Sequence, residues 1–226
     1  MTLIKSRLAA MTTFAAAAAS LAGCSLLGET EYDYQPVDFG AVGDLTPPAT
    51  DLSFGEVAWV EQETEYTSSD GESETVAGIV GISVLDVVTG DASFFDQYAN
   101  SDDFEGYTPY FIVLQFQWNY QAPFEQDPHG EAVFPLTADG EDLEFLTAGA
   151  FGRDATSEEC PLKLPGYDPE TNVGLQCVIG LSTDKPVELL EYNGEEYSAL
   201  LASGDNEYLD APIRWTAGSS EQPDAE

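Results

Sequence analysis

Basic residues are almost missing from this chain. It carries 6 Lys and Arg against 42 Asp and Glu in 226 residues, a formal net charge of -36. A nucleic-acid binder neutralises phosphates with Lys and Arg, and a polybasic membrane-surface protein needs the same residues, so both classes are excluded. Histidine is reduced to His129, which lies in the turn sequence Asp127-Pro128-His129-Gly130 and reads as a solvated side chain. No GxSxG elbow, Walker loop, HExxH or dinucleotide fingerprint occurs in the sequence, which leaves no motif for a catalytic centre. The hydrophobic share is ordinary at 43%, and 12 Phe, 11 Tyr and 3 Trp suffice for the core of one moderately sized domain.

Lys5 and Arg7 precede an uncharged, alanine-dominated stretch from Leu8 to Leu21, too short to span a bilayer comfortably but matched to a secretory signal. The stretch ends in Leu21-Ala22-Gly23-Cys24, which resembles the lipobox of bacterial lipoproteins. The resemblance implies that residues 1–23 form a lipoprotein signal peptide and that Cys24 is acylated as the mature N-terminus. The competing readings are an uncleaved anchor and a chance cysteine. Cleavage removes two bases and no acid, taking the net charge from -36 to -38, so the acyl chains rather than a basic patch would hold the protein at the extracytoplasmic face of the membrane. Of the 3 cysteines, Cys160 and Cys177 then remain, and an oxidising location favours a disulfide between them. A two-cysteine metal site is the alternative, but it lacks a nearby histidine and a CxxC spacing.

Residues 24–50 are acidic, aperiodic and interrupted by Pro36, Pro47 and Pro48, as expected of a lipidated cysteine followed by a flexible acidic tether. Some 25 flexible residues would reach about 28 Å; an edge strand around Tyr32 to Val37 is the other reading. From there the apolar period is two. A strand opens around Phe54, Val57 and Trp59; Val76 to Val88 is rich in β-branched residues; and Tyr110 to Tyr120 places Ile112, Leu114, Phe116 and Trp118 on one face, with Phe111, Val113, Gln115 and Gln117 on the other. Further strands are predicted at Ala132–Leu136, Asp142–Thr147, Gly174–Ser182, Val187–Tyr192 and Ala211–Thr216, with turns at Asp139-Gly140 and Asn193-Gly194. The pattern predicts an all-β, immunoglobulin-like β-sandwich over 51–217, with a closed barrel as the alternative and a disordered acidic tail over 218–226.

The run from Tyr110 to Asn119, the segment Gly174 to Gly180 followed by Val187 to Tyr192, and the closing Pro212-Ile213-Arg214-Trp215 resemble the telokin-like, immunoglobulin-like domains of Gram-positive, actinobacterial-type surface lipoproteins. The likeness covers roughly residues 54–216. It implies a sandwich fold and an envelope location rather than a particular activity. The sequence departs from the family pattern at Asp184-Lys185-Pro186, where proline often comes sooner, and in the acidic, aromatic stretch before Tyr110.

Ser93 to Tyr110 interleaves Phe94, Phe95, Tyr98, Phe104, Tyr107 and Tyr110 with Asp96, Asp102, Asp103 and Glu105. Rings among carboxylates can hold a cation or a sugar, which makes Tyr98, Asp102, Asp103, Glu105 and Tyr107 a candidate ligand or partner loop. The same rings at helical spacing can plug one end of a sandwich. Calcium is the one cofactor with candidate ligands, in Asn100–Glu105 and in Asp139–Asp142, although neither has EF-hand spacing. Between Ser25 and Gly152 there are 26 acids and no base, a field suited to a basic envelope protein or a cationic ligand and equally a general trait of exported acidic proteins. The functional expectation is therefore a lipid-anchored, non-catalytic binding module of the cell envelope. The alternatives are a calcium or small-cation binder and a hydrolase using paired carboxylates.

Overall fold

The computed structural model describes residues 30–31, 33–67, 73–98, 100–120, 133–146, 160–194 and 207–217. The side chains of 30–31, 63–76 and 120 fall outside that description, as do Cys24, His129 and the C-terminal tail. Eleven strands occur among the described residues: β1 Thr30–Glu31, β2 Asp51–Ser53, β3 Ala58–Thr67, β4 Ser73–Thr89, β5 Thr108–Tyr120, β6 Phe134–Leu136, β7 Glu144–Leu146, β8 Leu162–Lys163, β9 Val173–Ser182, β10 Leu189–Tyr192 and β11 Ile213–Thr216. Helix is limited to two short 3-10 segments, Ala92–Gln97 and Ser101–Phe104. Among the described residues no helix is long and apolar enough to cross a membrane.

The strands form an all-β sandwich. One sheet is antiparallel in the order β3-β4-β5-β9-β7, and the other runs β2-β11-β10-β6 with a parallel pairing between β2 and β11. Between them lies the main core, built from the alternate residues that a period of two delivers to one face. Val80, Ile82 and Val84 of β4 and Ile112, Leu114, Phe116 and Trp118 of β5 meet Leu190, Ile213 and Trp215 from the opposite sheet. The Trp215 indole N–H donates to the Glu56 carbonyl at 3.1 Å, which satisfies the one polar atom that so large a ring brings inside.

Strand β4 keeps its apolar set facing the core through a change of register. A bulge between Val84 and Asp86 absorbs one residue, so Val84 and Val87 both face inward although three positions separate them. Strand β5 is buried on both faces from Phe111 to Phe116. Its outer face carries a second core, in which Phe111 and Val113 pack with Ile179, Leu181, Leu146, Leu162 and the Phe94–Phe95 pair. Cys160 and Cys177 lie within this layer at disulfide distance, their Cα atoms 6.1 Å apart.

Residues 37–50, expected within a flexible tether, lie along the domain instead. Phe39 is buried edge-on against Trp59, with ring centroids 5.9 Å apart. Gly81 lies beneath the pair, where a Cβ would come within 2.7 Å of Phe39 and 2.8 Å of Trp59; this accounts for a glycine inside a β-branched strand. Farther along, Thr46 hydrogen-bonds the Trp59 backbone twice, donating its N–H to the carbonyl at 2.8 Å and accepting the Trp59 N–H at Oγ1. The prolines block regular structure here without freeing the chain, because backbone and side-chain groups of the sheet supply the partners that a neighbouring strand would otherwise provide.

Candidate functional site

The segment after β4 opens with Asp91, whose carboxylate accepts the Ser93 N–H at 2.9 Å and caps the first 3-10 helix. That hydrogen bond holds the Asp91 carboxyl below its ordinary value. The helix directs Phe94 and Phe95 into the second core, each 3% exposed. Phe94 meets Phe111 edge-on at 5.2 Å, and Phe95 stacks on Phe104 of the second 3-10 helix at 4.7 Å. Tyr98 packs against both Phe94 and Phe104. Asn100 Nδ2 donates to Asp103 Oδ2 at 3.1 Å and steadies the turn between the two helices.

Rings and carboxylates therefore separate. Tyr98 and Tyr107 are half-buried against the second core, whereas Asp102, Asp103 and Glu105 are exposed. Tyr107 donates its hydroxyl to Glu144 of β7 at 3.1 Å, a bond that pushes its pKa upward by favouring the protonated phenol. The aromatic side chains of this segment cover one end of the outer face, and the acidic ones form a solvated rim. As a chemical surface the segment offers negative charge; its rings are engaged with one another and with β5.

Calcium gains no support from either predicted loop. Among the described residues no group of three or more His, Cys, Asp or Glu side chains is placed to hold a metal ion. At Asp139–Asp142, the Lys185 ammonium already sits on Glu141 and lies 3.8 Å from Asp139, so the turn has its own cation. The Glu141 hydrogen bond is the main cause of the raised Lys185 pKa. Arg214 similarly engages Glu191, its cross-strand partner, at 2.9 Å.

Two features have no counterpart in local sequence pattern. One is the amide of Gln115, which binds the Val37 backbone. The other is the edge of β3, where Thr46 caps Trp59 and the strand then continues through Glu61-Gln62-Glu63-Thr64-Glu65 beyond that cap. Only a long-range fold reveals either one. No family model, curated protein or solved structure matches this chain.

Proposed function

We propose that this chain is a lipid-anchored, extracytoplasmic interaction module of the cell envelope, built on an immunoglobulin-like variant of the sandwich and without catalytic chemistry. The observation that carries the reading is Leu21-Ala22-Gly23-Cys24 behind a basic and then apolar leader. The Cys160–Cys177 pair at disulfide distance supports an oxidising compartment. The exposed Asp102, Asp103 and Glu105 rim gives cationic partners a favourable approach. Membrane fractionation with lipid labelling tests the anchor: wild type partitions with membranes and takes up label, and Cys24→Ala loses both. Equal partitioning of the two proteins, with no label on either, would overturn it.

A further inference from the structure

We infer that the segment around β8, residues 161–166, rests on the membrane that holds the anchor, with the Lys163 ammonium against the phosphate of an anionic phospholipid headgroup. The inference rests on the reading of Cys24 as acylated and adds which flank of the domain meets lipid. It begins with chain length. Thr30 is bound in β1, paired in parallel with Leu162 of β8, and stands six residues after Cys24. Six residues span at most about 21 Å, whatever path they take. Strand β5 alone, with 13 residues, is roughly 43 Å long. The chain between anchor and domain therefore cannot carry the domain its own length away from the bilayer, and β1 and β8 stay within reach of the headgroups.

The chemistry of that flank suits the contact. Leu162 is buried in the second core, and Lys163 beside it is exposed. Among the described bases, Lys185 sits on Glu141 and Arg214 on Glu191, whereas Lys163 makes no ion pair. Residues 160–167 contain no acid in a chain that has 42, and Pro161, Leu164 and Pro165 surround the lysine with apolar groups. An ammonium on an apolar stem among such groups matches an interface where hydrocarbon meets phosphate. The acids of the outer face lie elsewhere. Tyr167, just after β8, packs on Trp118 near the C-terminal end of β5, while the rim of Asp102, Asp103 and Glu105 adjoins Thr108 at the opposite end of that strand. One lysine does not hold so acidic a domain on anionic lipid; the acyl chains do that, and the lysine decides which flank turns toward the phosphates.

The test uses the full lipidated chain on vesicles of phosphatidylcholine and phosphatidylglycerol whose headgroups carry a nitroxide quencher. With Cys24 acylated and Cys160 bridged to Cys177, the Gly166→Cys and Glu188→Cys variants each offer one thiol to a fluorophore. Both positions are exposed; a Cβ at 166 meets nothing within 4 Å, and 188 adjoins β10 of the other sheet. The fluorophore at 166 should be quenched and that at 188 spared. Adding Lys163→Gln to the Gly166→Cys variant should cut the quenched population about fivefold, the worth of one lysine at an anionic surface. Inserting about 20 Gly and Ser residues after Ser25 adds roughly 25 Å of reach, and should relieve quenching at 166 while the chain stays on the vesicles. A chain that fails to float with vesicles would overturn the anchor and this contact together. A chain that floats but is quenched equally at 166 and 188, or equally with and without Lys163, would overturn the contact alone.

Discussion

The side-chain amide of Gln115 grips the backbone of Val37 as a neighbouring strand would: Oε1 accepts the Val37 N–H and Nε2 donates to the Val37 carbonyl, both at 2.8 Å. Gln115 lies on the outer face of a central strand with 2% of its surface exposed, so an unpaired amide there would be costly. Replacing it by leucine keeps approximate volume and removes both bonds. We expect Gln115→Leu to lose about 1–3 kcal/mol in denaturant unfolding and to speed hydrogen exchange at Val37. Unchanged exchange at Val37 would show that the grip contributes nothing to holding the segment.

Gly81 makes a second prediction through the rings above it. Gly81→Ala must displace Phe39 or Trp59, at a cost of about 1–3 kcal/mol, and should shift Trp59 fluorescence toward the red. In Phe39→Ala much of that conflict is gone, so the two substitutions together should cost less than their sum. Strict additivity would refute the packing account.

The Cys160–Cys177 bridge closes a sequence separation of 17 within the second core. Replacing both cysteines by serine should lower stability by about 3 kcal/mol in the chain-entropy treatment. Intact-mass measurement before and after reduction checks the bridge itself, and two freely alkylated thiols in the native protein would exclude it.

Asp91, which is exposed, and Tyr107, which is half-buried, give pH signatures of opposite sign. Asp91 is held below its ordinary value of 3.8, so its cap contributes above that value and is lost as pH falls through the folded pKa. Tyr107 is raised above 10.0, so its bond to Glu144 contributes below that value and is lost as pH rises through the folded pKa. Asp91→Asn should soften the acid limb of a melting-temperature profile, and Tyr107→Phe the alkaline limb. If each variant instead shifts the profile equally at every pH, neither bond is linked to protonation.

Local alternation was enough to locate β4, β5 and β9, because apolar residues at every second position have few other uses. It was also enough to show β5 with two apolar faces near Phe111 and Val113. The bulge at Val84 lay hidden inside a run in which every residue but Asp86 was apolar or small. In the segment before Tyr110 the sequence allowed both a ligand cage and a plug; geometry alone separated the rings from the acids. Residues 37–50 were misread because prolines and missing periodicity describe an irregular chain, and irregular does not mean unbound. The partner of Val37 lies 78 residues away, a distance no local pattern spans.

The parallel pairing of β2 with β11 bears on the order in which the molecule can assemble. Thr46 accepts the Tyr208 hydroxyl across 162 residues, and Glu56 accepts the Trp215 indole across 159. Among the described residues β11 is also the sole neighbour of β2. A polypeptide made from its N-terminus therefore produces β2 long before anything exists to receive it. Completion waits for Ile213–Thr216, which places the domain with the slow, non-local folders. A chain halted at Gly194 lacks β11, and among the described residues β2 then has no strand to pair with.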